Sequence, residues 1–192
     1  MKRIISILIT ILSFQPSLCF SGEEENVWEQ LKRGGLVVLM RHTTTVKENN
    51  PLLLDSSCLK ERNLSEKGKK EAARIGKNFT AKGVLVSKVL TSPYCRTTET
   101  GNIAFNKVES AEFLALLEAL PQKQAETNIE LLQQKIASYS GSGNLVLITH
   151  GPNINAISFE SVEMGAFLVL KPMGNMENHE FEEIGKINLA IQ

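Results

Sequence analysis

The chain has 192 residues, 42% of them hydrophobic and 22% charged, with 21 basic and 21 acidic side chains and a formal net charge of zero. That length and composition suit one domain around a single sizeable core. The balanced charge excludes a general attraction to nucleic acid or to an anionic membrane surface. Asp55 is the sole aspartate, so a carboxylate engaged in chemistry is expected to be a glutamate.

Lys2 and Arg3 precede an apolar run from Ile4 to Leu12, followed by Pro16, Ser17, Cys19, Ser21 and Gly22 and then by Glu23, Glu24 and Glu25. A basic start, a short apolar core and a small-residue exit predict a secretory signal peptide over residues 1–22. The apolar stretch is short for a bilayer crossing and is interrupted by Ser6, Thr10 and Ser13, so no stable membrane insertion is expected after cleavage. The expected mature domain is 23–192, periplasmic or secreted, with a net charge of about −2 once Lys2 and Arg3 are gone. It keeps two cysteines, Cys58 and Cys95. In an oxidising compartment an even count suggests a disulfide, worth about 4 kcal/mol by loop entropy; the alternative is a pair of buried thiols.

Asn26 is placed to cap a helix over 27–33, which Gly34-Gly35 ends. Leu36 to Met40 is an apolar run of strand length, as expected for a strand buried on both faces. Polar residues Arg41 to Thr45 follow at once, and 46–62 reads as loop, with a turn signal at Asn49-Asn50-Pro51. Ser65 caps the next predicted helix, in which Gly68, Ala72, Ile75 and Phe79 recur at helical spacing before Gly83 closes it. A short strand is expected over 88–91, then a turn at Thr91-Ser92-Pro93 into a helix carrying Arg96 and Thr100. The segment 112–139 reads as mostly helical, broken near Pro121. Leu145 to Thr149 is a second buried strand, followed directly by His150-Gly151-Pro152, with Pro152 suited to a helix's first turn. Residues 166–170 and 180–189 are expected to be a closing pair of strands.

Alternating strands and helices predict an α/β fold: a three-layer sandwich with a largely parallel central sheet flanked by helices. Three strand ends then deliver polar residues to one edge, where open α/β sheets bind ligands: Arg41-His42, Ser92 with the following Arg96, and His150. Alone, each has an ordinary structural reading as a bonded turn histidine or a surface arginine. Together they offer two guanidiniums and two imidazoles, the set a phosphate monoester dianion requires. Arginine presents a planar fork to phosphate oxygens and keeps its charge. A neutral imidazole can attack phosphorus while a second, protonated one neutralises developing charge. Phosphoryl transfer needs mainly positioning and charge stabilisation. The three histidines lack paired ligand spacing, so neither a metal nor another cofactor is expected, and His179 reads as a surface residue.

Four stretches resemble the histidine phosphatase (phosphoglycerate mutase-like) superfamily. Leu39-Met40-Arg41-His42-Thr43-Thr44-Thr45 is similar to its Arg-His-Gly motif, with Thr43 in place of glycine. Leu64-Ser65-Glu66-Lys67-Gly68 is similar to its Leu-Thr/Ser-x-x-Gly helix start. Thr91 to Thr100 resembles its Ser-Pro-x-x-Arg-x-x-x-Thr segment, and Val146 to Gly151 its second histidine motif. The resemblance implies that His42 becomes a phosphohistidine and that Arg41, Thr45, Arg96 and His150 hold the phosphoryl oxygens. It also implies a general acid between the second arginine motif and the second histidine, where Glu112 and Glu118 are the candidates, Glu118 the better placed. Cys58 and Cys95 fall where an exported subgroup carries cysteines, which favours their pairing. The expected activity is metal-independent hydrolysis of a small phosphate ester, possible substrates including phosphosugars of the cell envelope. Two alternatives are a protein phosphohistidine phosphatase, which would need no glutamate acid, and a non-catalytic phosphate- or sugar-binding protein of the same fold. Neither the substrate nor the oligomeric state follows from these residues.

Overall fold

The computed structural model describes residues 21–158, 160–174 and 178–189. In chain order its main elements are α1 (Ser21–Arg33), β1 (Val37–Arg41), α2 (Glu66–Ala81), β2 (Val86–Thr91), α3 (Cys95–Phe105), β3 (Glu109–Ser110), α4 (Gln122–Ala137), β4 (Asn144–Thr149), α5 (Gly151–Ser158), β5 (Ala166–Pro172) and β6 (Phe181–Asn188). The six strands make one sheet in the order β3-β2-β4-β1-β5-β6. The pairs β2–β3, β2–β4 and β1–β4 are parallel, whereas β5 runs antiparallel to β1 and β6 antiparallel to β5.

The apolar runs read as doubly buried strands are the two centre strands, β1 and β4, and their alternating side chains divide between two cores. Val38, Met40, Val146 and Ile148 pack with Trp28, Ile75 and Phe79 under α1 and α2. Val37, Leu39, Leu145 and Leu147 pack with Leu132, Ile136 and Ile154 under α4 and α5. The expected three layers follow from this alternation, since a centre strand has no solvent face.

Several boundaries differ from the sequence reading. α1 begins at Ser21, so Asn26 lies inside the helix and is not its cap. Glu24 and Glu25, near the start of the helix, suit its positive end, and Lys82 pairs with Glu25 at 2.8 Å. The expected signal segment lies outside the described residues apart from Ser21 and Gly22, which open α1. No helix among the described residues is long and apolar enough to cross a membrane.

The stretch 112–120 is not α-helical as expected. It forms two 3-10 turns, Glu112–Leu114 and Leu117–Ala119. Residues beside His150 capture its backbone. Thr149 Oγ1 donates to the Leu114 carbonyl, Asn153 Nδ2 to that of Ala115, and Asn153 Oδ1 accepts from Leu117 N. These carbonyls are thereby drawn out of any helical ladder. Beyond Pro121, α4 forms as expected.

Candidate active site

β1 ends in Arg41, and His42 N donates to the Thr149 carbonyl at 3.1 Å, so the first histidine leaves the sheet alongside β4. β4 ends one residue before His150, and α5 starts one residue after it, directing the positive end of its dipole to the same place. β2 ends at Thr91, and Ser92 N donates to the Ile148 carbonyl at 2.9 Å. Arg96 lies in the first turn of α3. The polar strand ends thus converge as the sequence predicts: the His42 and His150 rings are 5.5 Å apart, and His150 Nδ1 lies 3.2 Å from Arg96 Nη2.

Hydrogen bonds define both tautomers. His42 Nδ1 lies 2.9 Å from the Thr43 carbonyl, which can only accept, so Nδ1 carries the proton and Nε2 keeps its lone pair. Burial, and then the positive fields of Arg96, Arg41 and Arg62, push the His42 pKa down to about 3, outweighing the bond to Thr43. His42 is therefore neutral at physiological pH, with a lone pair on Nε2. His150 Nδ1 accepts from the Arg96 guanidinium, which leaves the proton on Nε2, 2.8 Å from Ser92 Oγ. Burial, with His42 and the two arginines Arg96 and Arg41, holds the His150 pKa well below its ordinary value. The second imidazole, expected to be protonated, is neutral in the free protein. It works as an N–H donor, and a bound dianion would supply the field needed to charge it.

The arginines are buried in unusual company. Arg41 donates from Nη1 to the Val162 carbonyl at 2.9 Å. Arg96 is 2% exposed, lies 4.3 Å over the Tyr94 ring, and donates from Nη2 to the Pro51 carbonyl at 3.1 Å. Desolvation lowers its pKa to about 10, with Glu61 opposing the shift, so it stays charged. Arg41 Nε, Arg96 Nη1 and Arg62 Nε are all buried with no hydrogen-bond partner among the described residues. Buried cationic donors without partners are costly. The charges of all three arginines bear on the His42 imidazole, an arrangement whose charge would suit a multiply charged oxyanion.

Arg62 belongs to this cluster and was not singled out in the sequence. Its only signal was its place two residues ahead of Leu64-Ser65, inside a stretch read as loop. Glu61 was also missed. It is fully buried, accepting Asp55 N through Oε1 at 3.0 Å and Cys95 N through Oε2 at 2.8 Å, and so ties the loop to the start of α3 beside Arg96.

The remaining candidates are placed as follows. Thr43, buried where the motif has glycine, bonds to α3: its Oγ1 lies 3.2 Å from Thr100 Oγ1, which also accepts Thr43 N at 3.2 Å. Thr45 is half-buried at an isolated bridge with Leu64. Glu112 and Glu118 are exposed in the two 3-10 turns, with no side-chain bond to the cluster. Cys58 and Cys95 form a disulfide, with Cα atoms 5.8 Å apart. His179 lies half-buried in the β5–β6 turn, at the opposite edge of the sheet from His42. No group of three or more His, Cys, Asp or Glu among the described residues could hold a metal ion. A cleft of about 380 Å³ between α2, α3 and β2 is lined by Phe79, Val86, Phe105 and Val108 and does not include the histidines.

Sheet order, flanking helices and the placement of the site define the phosphoglycerate mutase-like fold. No family model matches the sequence, and neither does any curated protein. Among solved structures the chain is similar to the protein histidine phosphatase SixA in complex with tungstate. Identity there is 17%, with a TM-score of 0.55 over 80% of this chain and 96% of that one. It is similar to the mycobacterial glucosyl-3-phosphoglycerate phosphatase Rv2419c, at 14% identity and a TM-score of 0.51, over 77% of this chain and 96% of that one. It is also similar to the Rv3214 protein of Mycobacterium tuberculosis, at 15% identity and a TM-score of 0.51, over 72% and 91% of the two chains. At these identities the likeness establishes a shared fold.

Proposed function

We propose that the protein is a phosphatase that hydrolyses small phosphate monoesters through a phosphohistidine on His42 Nε2, using side chains alone. The observation that carries this reading is the neutral, tautomer-locked His42 in the field of three arginines, the buried Arg96 and the half-buried Arg41 and Arg62, each with one buried, unpartnered nitrogen. Nε2 attacks phosphorus, the ester P–O bond breaks, and the leaving oxygen takes a proton. Arg41, Arg62 and Arg96 stabilise the charge gathering on the phosphoryl oxygens, and the His150 Nε2–H, bonded to Ser92 Oγ in the free protein, exchanges that bond for one to the phosphoryl group. Water then attacks phosphorus, the P–N bond breaks, and His42 returns to its neutral form. Thr45, at the exit of β1, is assigned to the phosphate as a further hydroxyl contact. The similar fold of a phosphohistidine phosphatase that takes tungstate, a phosphate-like oxyanion, supports the same use of the pocket. The disulfide suits an exported protein working in the periplasm or outside the cell.

Glu118 is the proposed proton donor for esters with poor leaving groups. Its exposure favours a second reading, in which the substrate is a phosphohistidine on another protein, whose imidazole leaves without help from a carboxylic acid. Phosphate release should be measured with EDTA present, on a panel of phosphosugars and on a phosphohistidine peptide. His42→Ala should lose at least about a thousandfold on every substrate. Glu118→Gln should lose about a hundredfold on sugar phosphates if it is the acid, and little on the peptide. Oxyanion binding without turnover by the folded wild type would assign the pocket to a non-catalytic binding protein.

A further inference from the structure

Seven large hydrophobic side chains are exposed among the described residues, and four of them fall in one stretch: Leu52 (43% exposed), Leu53 (37%), Leu54 (48%) and Leu59 (82%). The other three, Leu85, Leu131 and Met173, are scattered singly, which needs no explanation. Three consecutive exposed leucines do need one, because an unrestrained loop would fold them inward.

This loop is not free to do so. Asn50 Oδ1 accepts Leu52 N at 2.9 Å, and the Leu52 carbonyl accepts the Tyr94 hydroxyl at 2.8 Å. Glu61 holds Asp55 N, and the disulfide joins Cys58 to Cys95. The backbone that carries the leucines is also a wall of the oxyanion cluster. The Pro51 carbonyl binds the same Arg96 nitrogen that reaches His150, and Tyr94 packs against both Arg96 and the His150 ring. Leu52 to Leu54 therefore start one residue from the phosphate cluster, within about 10 Å of it along an extended chain. A ligand that fills both features carries a dianion at one end and an apolar chain at the other.

We propose that the substrate is an amphiphilic phosphate monoester, whose phosphate enters the arginine–histidine cluster while the alkyl chain next to the ester lies on the Leu52–Leu54 lip. This rests on the phosphatase reading for its chemistry, but the lip can be tested without turnover. The probes are methyl-, butyl-, hexyl- and octylphosphonate below their micelle concentrations, with affinity measured by calorimetry on the full mature chain. Affinity should rise roughly two- to fourfold per methylene until the lip is covered. The triple variant L52S/L53S/L54S should flatten that slope while binding methylphosphonate and inorganic phosphate as the wild type does. L54S alone, at the most exposed of the three positions, should reduce the slope even if the triple variant is unstable.

Affinity independent of chain length in the wild type, or a slope unchanged in the variants, overturns the proposal. So does a dimer that the leucine variants convert to monomer, which would give the lip to a second copy. Vesicle binding lost in the variants, with no chain-length effect on phosphonates, would give it to a bilayer surface. Phosphate release abolished by His42→Ala alongside a flat phosphonate series would sink the lip and leave the phosphatase reading standing. A steep series with no phosphate release would do the reverse.

Discussion

The electrostatics of single residues govern the site. Unfolded, the His42 imidazole takes up a proton near its ordinary value of 6.5, whereas folded it resists protonation down to about 3. Below about pH 6.5 the unfolded chain binds more protons, so the contribution of His42 to stability is full above that pH and is lost as pH falls toward 3. His150, lowered for the same reason, acts in the same direction. Urea unfolding should therefore show stability falling by a few kcal/mol between about pH 7 and about pH 4. Carboxylates contribute to that fall, so the informative comparison is His42→Asn, whose stability should decline less over the same range. A variant with an unchanged pH slope would mean that His42 is not held neutral by burial. At this scale Arg41, His42, Arg96 and His150 could be read from the sequence, because each directly follows or closely trails an apolar strand. Arg62 and Glu61 could not, since their roles depend on how a loop without periodicity folds back over α3.

Among the elements, the clearest link between motif and physics is the start of α2. Ser65 caps the helix, its Oγ accepting Gly68 N at 3.1 Å, and Ser65 N donates to the Thr44 carbonyl at 3.0 Å. Glu71, buried on the same helix, accepts Thr44 N at 3.0 Å. The helix thereby lies so close to the exit of β1 that a Cβ on Gly68 would sit 1.9 Å from the Thr44 carbonyl oxygen, a backbone atom that cannot swing away. Gly68→Ala should cost roughly 1–3 kcal/mol and displace Thr44, two residues from His42. We expect a lower denaturation midpoint together with a drop in phosphate release. Full activity in a stable Gly68→Ala protein would show that this approach does not position His42. The motif was visible in the sequence, but its reason was not, because glycine at helical spacing looks the same whether it meets solvent or a backbone. The misread helix over 112–120 has a similar origin. Its residues suit a helix locally, but Thr149 and Asn153, distant in sequence, claim its carbonyls.

Across the whole molecule, the disulfide joins the loop 46–62 to α3 over a sequence separation of 37. Removing it with C58S/C95S should lower stability by about 2–4 kcal/mol. It should also loosen Pro51 and Glu61 around Arg96, raising KM more than it lowers kcat. Wild type measured in reductant should match the double variant in both respects, and a double variant of undiminished stability would show that the other ties suffice. The class of the fold, and the meeting of Arg41, His42, Arg96 and His150 at one end of the sheet, were determined by the sequence itself. Apolar runs of strand length, ending in charged residues, can be buried only at a sheet's centre, and they must release those residues at its edge. The tertiary structure alone decided the tautomers, the neutral state of His150, the recruitment of Arg62 and the exposure of Leu52 to Leu54. Each of these depends on which distant backbone group lies within hydrogen-bonding reach, and on how much water the folded chain excludes.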